Sequence, residues 1–219
     1  MPLEITGLSK RYGNRWVLRD AEFTASEGRV LGLLGGTASG KSTLLNLLAG
    51  AAKTNGGSAM LDGSDLLRLK QKDRGVTVIP GPAKPPLLGF LGSGPRQSSG
   101  ESVLDGLDET LTKAGKIILL DDPFGHLDAA TREGCFESVR RAARSRERIV
   151  IFVTTDFGQL AEVADDVAIL AADRIVQTGT PQDVYEDPVT IAAARQTGDC
   201  NLFEARRLTS TDADLPEFH

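Results

Sequence analysis

Residues 35–42, which read Gly-Gly-Thr-Ala-Ser-Gly-Lys-Ser, constrain the fold of this chain more than any other segment. They match the pattern G-x-x-x-x-G-K-[ST] in full, and they lie between an apolar run, residues 29–34, and a helical pattern, residues 42–48. Glycines in such a loop let consecutive backbone N–H groups point inward at phosphate oxygens, and the following helix adds its positive N-terminal end. The segment therefore predicts a phosphate-binding loop between a strand and a helix.

The loop and a carboxylate further along the chain together predict a site for ATP and Mg²⁺. Lys41 can reach the β- and γ-phosphates, and the Ser42 hydroxyl can ligate Mg²⁺. Asp121 follows the apolar run 117–120, which places it at the carboxyl edge of the same sheet. The predicted metal ligands are Ser42 and Asp121. The predicted nucleotide-binding residues of the loop and helix start are Gly35, Gly36, Thr37, Ala38, Ser39, Gly40, Lys41, Ser42 and Thr43.

Short apolar runs that alternate with helical stretches predict an α/β fold. Continuous apolar strands of this kind are typical of a mostly parallel sheet covered by helices on both faces. Residues 3–8 and 16–25 are more polar and are joined by a turn at 12–14, so we expect an antiparallel β-layer before the main sheet. The longest helix is predicted over 128–146, with Cys135, Phe136 and Val139 buried. The strands of the main sheet are predicted over 29–34, 116–120, 148–154 and 166–170.

Composition excludes several classes of protein. The net charge of −5 argues against nucleic acid as the main partner, and no nucleic acid is expected. Two cysteines fit a reduced, cytoplasmic protein better than a disulfide scaffold. The two histidines have no cluster of candidate ligands around them in the sequence, so we expect neither a zinc centre nor a Ser-His-Asp triad. The N-terminus has no basic region followed by an apolar one, so we expect no signal peptide. The arginine-rich run 140–148 is interpreted either as a solvated helix end or as a surface for an anionic partner.

Several motifs, in order along the chain, resemble the ATP-binding cassette (ABC) ATPases. Residues 8–13, Leu-Ser-Lys-Arg-Tyr-Gly, are similar to the family's first strand, and Tyr12 takes the place of the aromatic residue that stacks on adenine. Residues 121–128, Asp-Asp-Pro-Phe-Gly-His-Leu-Asp, resemble the magnesium-site strand end and the dimer-contact loop after it. Residues 164–170 and 173–181 resemble the family's C-terminal part. The Gly-Thr-Pro phrase at 179–181 and residues 184–188 are most similar to importer ATPases of the sugar, polyamine and iron type. The resemblance implies a P-loop NTPase fold that binds ATP with Mg²⁺.

The same resemblance identifies three candidate catalytic residues and shows where the chain departs from the family. These residues are Asp122, Lys41 and Thr155. Asp122 stands where the family has the glutamate that polarises the attacking water, and Thr155 stands where it has a histidine. Gly81 replaces the glutamine that senses the γ-phosphate, and residues 97–101, Gln-Ser-Ser-Gly-Glu, align with the signature Leu-Ser-Gly-Gly-Gln.

A larger departure lies between the last two positions. Only residues 82–96 separate them, and this proline-rich stretch is too short for the helical subdomain that the family carries there. We therefore expect an ABC-type ATP-binding domain over residues 1–205, with a shortened loop at 82–96, and a disordered tail over 206–219. Residues 201–203 resemble the entry to the family's accessory β-domain, which is expected to be absent.

Two functions from different classes follow from the resemblance. In the first, the chain is the ATPase subunit of an ABC importer, at the cytoplasmic face of the membrane beside permease subunits. In the second, it is a degenerate ATP-binding module that hydrolyses ATP weakly or not at all and acts through nucleotide-dependent association. Either function allows a head-to-tail homodimer or pairing with an intact paralogue. As an enzyme, the isolated chain is expected to be an ABC-type ATPase with very low activity.

Overall fold

The computed structural model of the protein describes residues 1–81, 100–145 and 147–200. Within these ranges the chain forms two β-sheets and six α-helices. The strands are β1 (Leu3–Tyr12), β2 (Arg15–Ala25), β3 (Val30–Leu34), β4 (Gly56–Leu61), β5 (Ser64–Asp65), β6 (Val76–Pro80), β7 (Ile117–Asp121), β8 (Ile149–Thr154), β9 (Asp166–Ala171) and β10 (Arg174–Gly179). The helices are α1 (Lys41–Ala49), α2 (Gly100–Lys113), α3 (Ala129–Ser145), α4 (Phe157–Val163), α5 (Pro181–Glu186) and α6 (Ile191–Thr197).

The larger sheet has six strands in the order β10-β9-β3-β8-β7-β6. All neighbours in it pair in parallel except β10 and β9, which are antiparallel. β3, β7 and β8 are buried along their whole length, which explains their continuous apolar sequences. The parallel arrangement brings the carboxyl ends of these three strands to one edge of the sheet.

The smaller sheet is an antiparallel layer in the order β2-β1-β4-β5. β1 and β2 form a hairpin in which Tyr12 pairs with Arg15 across a turn at Gly13 and Asn14. Side chains alternate between buried and exposed along β2, as expected for a sheet with one solvated face. This hairpin confirms the predicted N-terminal β-layer.

Helices cover both faces of the larger sheet. α1 lies between the two sheets, where its leucines share one core cluster with residues of β1, β2, β7 and β8. α2 and α3 pack on the opposite face, and there Phe124, Phe136 and Phe152 contact one another with ring centroids 5.8–6.0 Å apart. In the part of the chain that the structure describes, no helix is long and apolar enough to cross a membrane.

The predicted α/β fold with a mostly parallel sheet and an N-terminal β-layer is confirmed. All four predicted strands of the main sheet are present to within one residue, and α3 buries Cys135, Phe136 and Val139 as expected. Sequence patterns did not predict α2, which buries only two leucines, or the short strands β4 to β6. The predictions for residues 82–96 and 206–219 lie outside the described residues.

Two buried arginines hold the C-terminal ends of helices. The Arg74 guanidinium donates hydrogen bonds to the carbonyl oxygens of Leu47 and Leu48 at the end of α1, at 2.6 and 3.0 Å. It also donates to the carbonyls of Leu67 and Leu69, both at 3.1 Å. Burial lowers the pKa of Arg74 below its ordinary value, so these bonds compensate for the loss of water around the charge.

Arg148 occupies the corresponding position at α2. Its guanidinium donates to the carbonyl oxygens of Leu111, Thr112 and Ala114 at the helix end. The last carbonyls of a helix have no partner inside it and carry a partial negative charge. Each arginine therefore stabilises one helix end from within the core.

We expect Arg74→Met to lower the free energy of unfolding by about 2–4 kcal/mol, because it removes four hydrogen bonds from a buried position. Urea unfolding followed by circular dichroism measures the change. The matched control is Arg68→Met, which alters an arginine with an 87% exposed side chain and should change stability by less than about 0.5 kcal/mol. Equal effects of the two substitutions would contradict the role assigned to Arg74.

Candidate nucleotide site

The phosphate loop lies between the end of β3 and the start of α1, as predicted. Gly40 is the residue before the helix and has φ of 111°, a conformation that L side chains rarely adopt. A Cβ atom at Gly40 would also lie 2.5 Å from the carbonyl oxygen of Val17. A Cβ atom at Gly35 would lie 2.6 Å from the Ser39 hydroxyl oxygen and 2.7 Å from the Leu170 carbonyl. Steric crowding therefore requires glycine at both ends of the loop.

Lys41 is the first residue of α1, and its ammonium group lies over the loop. Its Nζ donates to the carbonyl oxygens of Gly35 and Gly36, the latter at 2.7 Å, and approaches the Ser39 hydroxyl oxygen at 3.5 Å. The backbone N–H groups of the first helical turn have no carbonyl partner within α1. The loop thus brings one cation and a set of backbone donors to the same place, which is the chemistry that binds phosphate.

Ser42 and Asp121 meet beside the loop although they are far apart in sequence. The Ser42 hydroxyl donates to Oδ2 of Asp121 at 3.4 Å, and Asp121 is 9% exposed at the end of β7. A hydroxyl and a carboxylate are hard oxygen ligands of the kind that Mg²⁺ takes when it is bound by few protein groups together with substrate phosphates. The donor set at this point therefore fits a magnesium ion.

Asp122 is held at the same edge by its main chain and its side chain. Its N–H donates to the Val153 carbonyl at 2.8 Å, and its φ is 51°, a left-handed conformation that aspartate tolerates better than most residues. Its Oδ1 accepts a hydrogen bond from the Thr154 hydroxyl at 3.3 Å. The carboxylate of Asp122 thus lies at the carboxyl edge of the sheet on a constrained backbone.

The loop that follows Asp122 is fixed at both ends. Phe124 is buried in the aromatic cluster with Phe136 and Phe152. Asp128, at the other end, accepts bonds from the backbone N–H and hydroxyl of Thr131 at 3.0 and 2.7 Å, and these bonds hold its pKa below the ordinary value. Residues 122–128 are therefore anchored on either side of the exposed Gly125 and His126.

Thr155 lies just beyond β8 and is exposed. The hydroxyl that bonds Asp122 belongs to its neighbour Thr154, the last residue of the strand. The sequence assigns a catalytic role to Thr155 by alignment with a histidine, and that role stays a prediction. The contact of Thr154 with Asp122 was not predicted, because it depends on which side of the strand faces Asp122.

Gly81 follows β6 and is enclosed by the main chain of the acidic pair. A Cβ atom there would lie 2.7 and 2.8 Å from the carbonyl oxygens of Asp122 and Asp121. The backbone of Gly81 thus takes part in the packing at the sheet edge. A larger residue at this position would require that packing to shift. Of the predicted signature, residues 97–99 lie outside the described residues, and Gly100 and Glu101 begin α2.

Tyr12 lies at the end of the β1–β2 hairpin and is 51% exposed. The ammonium of Lys10 sits 4.8 Å from the centroid of its ring. The hairpin reaches the phosphate loop through Val17, whose carbonyl adjoins Gly40. A ring with an exposed face on this hairpin is available to stack on a base.

Gln196 of α6 is a second residue that sequence reasoning missed. Its Nε2 lies 3.4 Å from the place that a Cβ atom would occupy at Gly36. The C-terminal helix thus adds a polar side chain to the neighbourhood of the loop. Only the packing of α6 against β9 and β10 creates this proximity, and no local pattern in the sequence signals it.

Comparisons with known proteins agree with this geometry. A family profile described as ABC transporter matches residues 18–84. The sulfate/thiosulfate import ATP-binding protein CysA of Bacillus cereus is 30% identical, over 99% of this chain and 74% of its own length. The corresponding CysA protein of Yersinia pseudotuberculosis is 31% identical, over 92% of this chain and 66% of its own length. The alignment with the Bacillus cereus protein runs over 263 positions, so the aligned part of that relative is longer than this chain of 219 residues.

The spermidine/putrescine import ATP-binding protein PotA of Haemophilus influenzae is 27% identical, over 93% of this chain and 64% of its own length. A solved structure described as the ATP-binding subunit of an ABC transporter shares the fold, with a TM-score of 0.66 and 20% identity. It covers 84% of this chain and 92% of the solved one. On the extent and identity of the CysA matches, the chain belongs to the family of ABC transporter ATP-binding proteins.

Proposed function

We propose that this protein binds ATP with Mg²⁺ at the phosphate loop and hydrolyses it as the ATPase subunit of an importer. The observation that carries the proposal is the convergence of Lys41, Ser42 and Asp121 around the N-terminal end of α1. A cation, a hydroxyl and a carboxylate at one helix N-terminus match the needs of a triphosphate with its metal ion.

Each group has a separate task in binding. The Lys41 ammonium exchanges its carbonyl partners, Gly35 and Gly36, for the more strongly charged oxygens of the β- and γ-phosphates. Ser42 and Asp121 hold Mg²⁺, which neutralises charge on the phosphates. Tyr12 stacks on the adenine base.

Hydrolysis depends on a water molecule aligned with the γ-phosphate. Asp122 orients this water through its carboxylate, and Thr155 offers a hydroxyl donor toward the γ-phosphate. Aspartate is one methylene shorter than glutamate, and Gly81 provides no side chain to the site. We therefore expect slow turnover, because small misplacements of a catalytic group cost large factors in rate.

Partners complete the proposed assembly. A second copy of the chain, arranged head to tail, or an intact paralogue supplies the opposing half of the nucleotide site. Permease subunits at the cytoplasmic face of the membrane receive the conformational change of the paired ATP-binding chains. Import as the direction of transport is supported by the names of the relatives and by the importer-like sequences at 179–181 and 184–188.

The alternative of a degenerate module, which hydrolyses ATP weakly or not at all and acts through nucleotide-dependent association, is not favoured by these comparisons. The relatives that match nearly the whole chain are import ATP-binding proteins by name. The phosphate loop also keeps Lys41 bonded to its carbonyl oxygens and glycine at positions 35 and 40, where a Cβ atom would clash.

We expect Lys41→Ala to weaken the binding of ATP with Mg²⁺ by several-fold or more, because it removes a charge-assisted phosphate contact. Isothermal titration calorimetry measures the affinity. The matched control is Lys113→Ala on α2, where the lysine pairs with Glu109 on the surface, and ATP affinity should not change. Equal affinity of the wild type and Lys41→Ala would rule out the proposed site.

We expect the isolated chain to turn over ATP more slowly than about 1 per second, with the residual rate dependent on Asp122. Asp122→Asn should abolish this rate while ATP still binds, and Asp122→Glu should raise it only in part, because Thr155 and Gly81 remain. A phosphate-release assay measures the rates, with Asp108→Asn on the surface of α2 as the control. A wild-type rate of about 1 per second or faster, lost in Lys41→Ala, would show that these departures do not limit turnover.

A further inference from the structure

We propose that Thr154 is a positioning residue that fixes the carboxylate of Asp122 for the alignment of the attacking water. The inference rests on the proposed ATPase function and adds a residue to its machinery. Thr154 does not contact the nucleotide in this proposal, and it acts only through Asp122.

The hydrogen bonds around Thr154 determine where its proton points. Its Oγ1 accepts a hydrogen bond from the backbone N–H of Asp156 at 3.1 Å. The same oxygen lies 3.3 Å from Oδ1 of Asp122, which accepts the hydrogen bond from the hydroxyl. The single hydroxyl proton of Thr154 is therefore directed at Asp122.

Burial makes this direction stable. Thr154 is 1% exposed, so water does not compete for its hydroxyl. The N–H that it accepts belongs to the residue before α4, and Asp156 caps that helix by accepting from the Gln159 N–H at 3.2 Å. Gln159 Nε2 also donates to Asp156 Oδ2 at 3.0 Å. The donor to Thr154 is thus held by the start of a helix.

Asp122 receives contacts from two consecutive residues of β8. The Val153 carbonyl binds its N–H, and the Thr154 hydroxyl binds its Oδ1. With the backbone N–H and one carboxylate oxygen engaged, the orientation of the Asp122 carboxylate is restricted. A carboxylate that is fixed before the substrate binds orients water without the cost of ordering itself.

The experiment compares three substitutions in the full chain under single-turnover conditions, with protein in excess over ATP. Thr154→Val keeps the shape of the side chain but removes the donor, and Thr154→Ser keeps the donor. Thr77→Val is the matched control. Thr77 lies on β6 of the same sheet, and the substitution removes a hydroxyl that accepts a hydrogen bond from the Gly115 N–H. ATP affinity by calorimetry and thermal stability are measured for each protein.

We expect Thr154→Val to slow hydrolysis about tenfold or more while the affinity for ATP changes less than about twofold. Thr154→Ser should recover most of the rate, and Thr77→Val should hydrolyse ATP like the wild type at comparable stability. In the Asp122→Ala background, Thr154→Val should cause no further loss, because the two residues act as a unit.

Three outcomes would overturn the inference. In the first, Thr154→Val hydrolyses ATP as fast as Thr77→Val. In the second, it loses affinity and stability in proportion to rate, which indicates a structural role alone. In the third, wild-type protein binds ATP but releases no phosphate in a single turnover, so Asp122 has no water to align. A wild type that fails to bind ATP refutes the proposed function itself, and calorimetry separates that result from the other three.

Discussion

The parallel pairing of β3, β8 and β7 is the constraint on which the nucleotide site depends. Leu34 is paired with Thr154, and Val153 with Asp121, so the three strands end at the same level. The phosphate loop, the acidic pair and the start of α4 all leave the sheet from that edge. A shift of one residue in any of these strands would turn its last side chain to the opposite face. The register of these strands therefore brings site residues that are far apart in the sequence to one place.

α1 runs from the phosphate loop into the core between the two sheets. A helix of nine residues has little stability alone, so its position depends on contacts at its ends and along its buried face. Val17 packs against its glycine cap at one end, and Arg74 binds its last carbonyls at the other. The C-terminal end of α1 is thus bound by a buried cation, and its positive N-terminal end adjoins the loop at 35–40.

The sequence predicted the parts of the molecule in which local pattern and tertiary role agree. The apolar strands and the loop at 35–42 belong to this class, because burial on both faces and a glycine-rich turn are visible in a few residues. The roles of Arg74 and Arg148 could not be predicted, because a buried arginine at a helix end looks the same in the sequence as an arginine on the surface. The relation of Thr154 to Asp122 was likewise hidden, because it depends on the facing of two side chains across neighbouring strands. The roles of Tyr12 and Thr155 remain predictions that rest on family resemblance.

The enclosure of Gly81 has a consequence for how this chain could change over evolutionary time. A glutamine at position 81 cannot be introduced by one substitution without moving the main chain of Asp121 and Asp122, because its Cβ would lie within 2.8 Å of both carbonyl oxygens. The peptides that would have to move carry the proposed magnesium ligand and the residue proposed to orient the attacking water. Any side chain at position 81 would therefore have to be accompanied by a change in the backbone of the acidic pair.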